Sequence, residues 1–389
     1  MKQYSKSFVV KFSAVLVGGT AVLAALFVSI MFLAAGLLGD APAAIKLRRM
    51  KQLIESYYLE EYDPKLLQEG AYYGMALTLG DPYSGYVSED DIETLEESIS
   101  GEYVGIGVEI TIHPQDGLVT VISPIDGSPA DLAGVRTGDK IIKVNEQDIT
   151  GKELDDVVSM LREGKENEEI KLELMREGEP VSVTVVRDHI VIHSAKGTML
   201  EDGVGYLKLS SFDDTTVNEF SDVLSQLEQQ GATSLVLDLR GNPGGTVEAA
   251  QSVADTFLDE GIFYCTRDKN GEKEYYYTDE GQDDIPLVVL INGGSASASE
   301  MLAGALQDRG RATLVGTTTY GKGIMQEYFP VDRNSMLKLT THEFLTPNGN
   351  QIHEKGIHPD EEVEMDPEVE LGDMEHDVQL QKAVSLFIE

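Results

Sequence analysis

Three serines at alternate positions, Ser295, Ser297 and Ser299, follow the aliphatic run "IPLVVLIN" and two glycines in "NGGSASASE". A strand, a glycine turn and a helix start would hold one hydroxyl in the field of the helix N-terminus, where developing negative charge is stabilised. The same position suits a plain N-cap, for which serine is favoured because it satisfies free N–H groups. As a nucleophile, serine is inert until a neighbouring base takes its proton. Histidine is the usual base, and the chain has seven. His189 and His193 lie at a junction between two textures of sequence, His113 in a β-turn and His376 near the C-terminus. His353 and His358 frame "HEKGIH", one residue too long for H-E-x-x-H, so their imidazoles would not share a helical face. Gly356 and Pro359 argue there for strand and turn. His342 alone stays open as an imidazole base. No metal or cofactor is expected, and Cys265, the single cysteine, leaves neither a Cys-type metal site nor an intrachain disulfide.

Lysine is the other candidate base. In "GTTTYGKG", residues 316–323, Gly316, Gly321 and Lys322 fit the phosphate-binding pattern G-x-x-x-x-G-K-[S/T], but Gly323 stands where that pattern needs a hydroxyl for Mg²⁺. The following "IMQEYFPVD" reads as a strand running into a turn, so the helix that would face a phosphate is missing too. Both departures count against nucleotide binding. Lys322 can act as a base only when neutral, and burial lowers an amine's pKa toward the working range. Flanking glycines let the backbone approach closely and strip water from the amine. Gln326, four residues on, can hold the amine without adding negative charge. The competing reading is a solvated lysine in a turn.

The surrounding elements fall into three textures. Residues 45–100 give two amphipathic helices, broken near Asp63-Pro64 and closed by Gly80-Asp81-Pro82, then a third helix capped by Ser88. Residues 101–187 are short β-branched runs between Gly and Pro, a small β-rich module. Its "VGIGVEITI" and "GSPADLAGVRTGDKI", with Ser128 as N-cap and Pro129 in the first turn, resemble a PDZ domain. That resemblance implies that the Gly105-Ile106-Gly107 loop offers backbone N–H groups to a peptide's terminal carboxylate, while the adjoining strand pairs with the peptide. From about 190 to 365 strands and helices alternate, the pattern of βαβ units in a largely parallel sheet. Ligands gather at the carboxyl edge of such sheets, here at "DLRGNPGGT" (238–246) and "INGGSASASE" (291–300). Residues 366–389 read as an acidic C-terminal tail with a short helix.

"LVLDLRGNPGG", "NGGSASASE" and "GTTTYGKGIMQ", in that order after a PDZ-like module, resemble the carboxyl-terminal processing peptidases, also called tail-specific proteases, over roughly residues 45–365. The resemblance implies an α/β fold: a βαβ peptidase core with a crotonase/ClpP-like sheet under helical cover, carrying an inserted PDZ domain. It implies a serine endopeptidase with Ser297 as nucleophile, Lys322 as general base and Gln326 orienting the base, and no residue departs from the pattern at these positions. For the oxyanion, the backbone N–H of Ala298 at the helix start is one candidate donor, and Gly244 or Gly245 of "NPGG" is the implied other. The PDZ module would bind the free C-terminus of an unfolded or flexible protein and gate the site, with Arg162 in "SMLREG" linking the two. The alternative is a catalytically inactive, membrane-tethered PDZ adaptor that binds protein C-termini.

Residues 12–38 carry no charge and exceed the ~20 residues that span a bilayer as a helix. Lys2, Lys6 and Lys11 place residues 1–11 in the cytoplasm, which puts the catalytic domain outside the cell membrane on a single-pass anchor. A cleaved signal peptide is the competing reading, although its apolar region is typically only about 7–15 residues. A net charge of −38 repels nucleic acid and anionic lipid surfaces. The partners that the resemblance implies are unfolded or flexible protein C-terminal tails; the uncharged run adds the membrane through the N-terminal helix, and homo-oligomerisation is left open.

Overall fold

A computed structural model describes residues 41–388, apart from 115, 126, 280–282, 367, 368 and 370. The anchor expected over 12–38 and the cytoplasmic residues 1–11 lie outside this range. No helix among the described residues is long and apolar enough to cross a membrane. The chain divides into two units, the first ending at Ala71 and the second beginning at Tyr72. The first holds helix Ala41–Tyr57 and the opening turns of helix Pro64–Leu77. Proline starts that second helix where its missing N–H costs nothing, and Asp63 Oδ1 accepts the Lys65 N–H at 2.7 Å.

The centre of the second unit is a six-stranded sheet. Its spatial order is Ala195–Met199, Val204–Leu209, Ser234–Asp238, Leu287–Ile291, Thr313–Gly316 and Glu361–Glu362. The first pair is antiparallel and every later pair is parallel. Strands Ser234–Asp238 and Leu287–Ile291 are buried along their whole length, which explains their uninterrupted aliphatic runs. One face is covered by helices Thr216–Gln229, Val247–Phe257 and Ala298–Asp308. Phe220, Leu224 and Leu227, then Ala250, Val253, Ala254 and Phe257, recur there at helical spacing and pack into one core. Against the other face lies helix Val378–Ser385 from the segment read as an acidic tail, with Leu380 and Ala383 fully buried on Tyr206, Val236 and Leu290.

A second sheet is built around the long strand Met336–Leu345. It pairs with Ile324–Pro330, with Gly261–Asp268 and, through its first residues, with Gly85–Val87. Strand Lys273–Thr278 extends the sheet by pairing with Gly261–Asp268. The β-rich module has its own core: Val121, Ile141, Ile170, Leu172 and Leu174 from the sheet close on Val157 and Leu161 of helix Leu154–Arg162. Strands Glu102–Gly105 and Asp188–Val191, paired antiparallel, lead the chain into and out of this module.

Candidate active site

Parallel pairing delivers three loops to one edge. Strand Ser234–Asp238 runs out into the NPGG loop, Leu287–Ile291 into the serine loop and Thr313–Gly316 into the GKG loop; because the three strands are neighbours, so are the loops. Hydrogen bonds then lace them together. Asn292 Oδ1 accepts the N–H of Gly241 and of Gly294. The Ala296 N–H donates to Asn242 O at 3.0 Å, and the Tyr320 N–H donates to Ser295 O at 3.0 Å.

The three serines are not equivalent. Ser295, fully buried, donates its hydroxyl to Leu239 O at 2.8 Å, and Ser299, also buried, donates to Asn242 O at 3.0 Å. Ser297 is half-buried at the start of helix Ala298–Asp308; its hydroxyl oxygen faces the Glu300 N–H in a capping box, and its proton is donated to no acceptor among the described residues. Its backbone is held at φ 54°, ψ −114°. A side-chain-bearing residue there stores strain of about 1–3 kcal/mol.

No histidine is hydrogen-bonded to any of the three serines. His342, open as a base in the sequence, lies against Glu327 and Thr341 instead. Among the described residues no group of His, Cys, Asp and Glu could hold a metal ion.

Lys322 is half-buried, and its amine stands over the Tyr83 ring, 5.1 Å from the centroid. Burial holds its pKa below the usual lysine value. The Lys338 ammonium pushes in the same direction, while the Glu300 carboxylate works against both. The amine is not hydrogen-bonded to Ser297 Oγ. Besides the Tyr320–Ser295 backbone bond, the two segments are joined through Glu300, none of whose surface is exposed: its Oε2 accepts the N–H of Ser297 at 2.9 Å and of Lys322 at 2.8 Å, and its Oε1 accepts the Gly321 N–H at 2.7 Å and the Thr319 hydroxyl at 2.6 Å. Gly323 fails the phosphate-binding pattern for a steric reason, since a Cβ there would lie 2.3 Å from the His353 nitrogen.

Gln326 does not reach Lys322 in this structure. It lies on strand Ile324–Pro330, and its amide donates to the hydroxyl of Thr340, its register partner, at 3.3 Å. The residue expected to orient the base is thus turned toward the neighbouring strand. Thr340 in turn donates its N–H to Ser84 Oγ, and Ser84 donates to Asp81, which ties the turn carrying Tyr83 to the same strand.

Gly244 packs directly against the serine turn; a Cβ on it would meet Ser297 Cβ and the Ala298 nitrogen, each at 2.9 Å. Its own N–H, however, donates to Asn242 Oδ1 at 2.8 Å. Gly245 bridges Phe212 in parallel fashion through its neighbours' groups, which leaves the Gly245 N–H without an acceptor among the described residues, as is the Ala298 N–H at the head of its helix.

In the β-rich module, Gly105, Ile106 and Gly107 line a groove of about 120 Å³ together with Val108, Val158 and Leu161. The Ile106 and Gly107 N–H groups have no acceptor among the described residues. Arg162 closes one end: its guanidinium lies 4.9 Å from the Tyr103 ring centroid and bonds Glu97 of helix Glu89–Ser100 at 2.7 Å.

Comparison with known proteins agrees with this architecture. The model of peptidase family S41 matches residues 203–363, that of the PDZ domain matches 103–186, and that of the activating protease CtpB N-terminal domain matches 39–91. The carboxy-terminal processing protease CtpA of Bacillus subtilis (strain 168) is 38% identical over 323 residues, covering 82% of this chain and 69% of that protein. CtpB of the same organism is 36% identical over 321 residues, covering 81% and 66%. The solved photosystem II D1 C-terminal processing protease superposes with a TM-score of 0.52 at 31% identity, over 84% of this chain and 89% of that one. The chain belongs to the carboxyl-terminal processing peptidases of family S41, and is a serine peptidase carrying a PDZ domain.

Sequence reasoning missed Glu300 and Tyr83. An acidic residue in the first turn of a helix normally faces water and the helix dipole, and "DPYS" carries the signal of an ordinary turn. Neither local pattern announces a contact with a loop more than twenty residues away.

Proposed function

We propose that this peptidase cleaves proteins near their C-termini with Ser297 as nucleophile and Lys322 as general base. The observation that carries the reading is that Ser297 alone of the three serines donates its hydroxyl proton to no acceptor among the described residues, on a turn whose N–H shares one carboxylate oxygen with the N–H of Lys322. The neutral amine takes the Oγ proton as Oγ attacks the peptide carbonyl. The N–H groups of Ala298 and Gly245 receive the developing oxyanion, and Gly244 supplies the close approach that makes room for it. Collapse expels the amine leaving group, which takes its proton from the Lys322 ammonium. Water, giving a proton to the same amine, then hydrolyses the acyl-enzyme. Gln326 acts on the amine only after leaving Thr340.

Activity follows the charge on Lys322. Burial and Lys338 depress its pKa, so the neutral base is present at lower pH than for free lysine and is lost as pH falls through that depressed value. The expected kcat/KM profile therefore rises from acid toward alkaline pH in a single-proton limb. A flat profile from about pH 5 to 9 in rates measured on an unfolded protein substrate would exclude a lysine base.

The Ile106 and Gly107 N–H groups support capture of a substrate's terminal carboxylate, with the chain pairing along strand Val108–Ile112. Arg162 and Glu97 connect that groove to helix Glu89–Ser100, which follows the Tyr83 turn. Tail binding that draws Arg162 from Glu97 would shift this helix and free Lys322 from the Tyr83 ring, which makes the PDZ domain a gate. The test compares one unfolded substrate with a free and with an amidated C-terminus. The amidated form should be cleaved at least about tenfold less efficiently, because charge-assisted hydrogen bonds are lost; equal rates would remove the tail-sensing role. Anchoring by residues 12–38, with the peptidase outside the membrane, belongs to the same proposal and rests on their uncharged length and the lysines before them. Release of the full chain from membranes by alkaline extraction would count against it.

A further inference from the structure

Glu300 takes no part in the proton transfers of the reaction, yet among the described residues it is the one side chain bonded to both the Ser297 turn and the Lys322 loop. Its carboxylate is sealed from water and accepts four donors: Ser297 N–H from the nucleophile turn, and Lys322 N–H, Gly321 N–H and the Thr319 hydroxyl from the base loop. A buried charge survives only when its lone pairs are filled, so the four donors and the carboxylate fix one another's positions. Thr319 is itself held, its hydroxyl accepting the Ile357 N–H at 2.7 Å. Parallel pairing of strands Leu287–Ile291 and Thr313–Gly316 and the Tyr320 N–H on Ser295 O bring the two loops side by side. Beyond those bonds, the spacing of Ser297 and Lys322 themselves is set where their two N–H groups meet Oε2.

We propose that Glu300 is a positioning residue that sets the serine turn and the GKG loop in register, so that the Lys322 amine can reach Ser297 once it leaves the Tyr83 ring. This rests on the assignment of Ser297 and Lys322. Misplacement of reacting groups by about 1 Å can cost on the order of 100-fold in rate. Glutamine keeps the volume of Glu300 but offers one oxygen in place of two, and its NH₂ would confront either two N–H donors at Oε2 or an N–H and a hydroxyl at Oε1. The charges acting on the Lys322 amine are the Lys338 ammonium and the Glu300 carboxylate, with the Tyr83 ring packed against it. Loss of the carboxylate therefore also removes the influence that favours the ammonium.

The test measures kcat, KM and the pH dependence of kcat/KM for Glu300→Gln, Glu300→Asp and Thr319→Val on an unfolded tail-bearing protein, with Tm as the folding control. Glu300→Gln is expected to lower kcat roughly 100-fold with KM changed less than about threefold, and to move the acid limb to lower pH. Glu300→Asp keeps the charge, so its limb stays in place and part of kcat returns. Thr319→Val removes one donor and should cost about five- to tenfold in kcat in a folded protein. Folded Glu300→Gln enzyme with kcat within about threefold of wild type, or with an unmoved acid limb, would overturn the proposal. If Glu300→Gln fails to fold, Thr319→Val decides, and an unchanged kcat there has the same meaning. Ser297→Ala and Lys322→Arg run alongside: activity in either sinks the dyad itself, whereas two inactive controls beside a normal Glu300→Gln sink only the role of Glu300.

Discussion

Ser297→Ala should abolish cleavage of an unfolded tail-bearing protein, lowering kcat by at least about 10³-fold while leaving Tm within about 3 °C of wild type. The expected loss is this large because neither neighbouring serine can substitute. Ser295 and Ser299 are buried and spend their hydroxyls on Leu239 O and Asn242 O. Stability should largely hold because the Ser297 hydroxyl donates to no acceptor among the described residues, only its capping contact with the Glu300 N–H is lost, and alanine keeps the Cβ on a backbone already at φ 54°. Turnover near the wild-type rate in the purified variant would move the nucleophile to another residue. Lys322→Arg should be equally inactive, since a guanidinium stays charged and cannot serve as a base.

Asp377→Ala should give the largest loss of stability. Arg240 is 1% exposed and lies just before the NPGG loop. Its guanidinium meets Asp238 on one side and Asp377, 137 residues later in the chain, on the other, with Gln379 as a further acceptor. Burial alone would raise the Asp377 pKa, but hydrogen bonding to Arg240 outweighs it and holds the carboxyl below the usual range. Asp238 still compensates the guanidinium charge in the variant, but the buried Nη1 and Nη2 donors lose their Asp377 acceptors, and a buried donor left unsatisfied costs about 1–3 kcal/mol. Asp377 also accepts the Leu380 N–H as the cap of helix Val378–Ser385, which contributes roughly 1 kcal/mol more. Calorimetry of the core transition should show a drop in Tm of several degrees. A shift under about 1 °C would mean that this end of the chain does not hold the sheet. Because Arg240 leads into Gly244 and Gly245, activity should fall at temperatures where the variant is still folded.

Local patterns carried much of the architecture. The aliphatic runs before "DLRGN" and "INGGS" are fully buried parallel strands, and strand–helix alternation placed both loops at the carboxyl edge, where they lie. Ser88 and Ser128 cap their helices as their positions suggested. What stayed hidden is long-range. The sheet around Met336–Leu345 takes strands from residues 85–87, 261–268 and 324–330, and most of that central strand is only half-buried, so no sharp alternation marks it. The Asp377–Arg240 pair sits inside a segment whose composition resembles a solvated acidic tail, and only the fold brings its one cationic partner. Which of the Gly244 and Gly245 N–H groups is already bonded depends on the Asn242 side chain, whose carboxamide oxygen accepts that of Gly244; spacing alone cannot show which way that side chain points. Gln326 was placed by its offset from Lys322, but strand pairing turned it toward Thr340.

The most direct measurement is covalent. A fluorophosphonate reagent phosphonylates a serine whose hydroxyl is activated by a base, and peptide mapping locates the adduct. Wild-type enzyme should carry a single adduct on Ser297, formed faster as pH rises, and Lys322→Arg should carry almost none. An adduct on Ser295, Ser299 or any other residue, or undiminished labelling of Lys322→Arg, would contradict a serine and lysine acting as a pair.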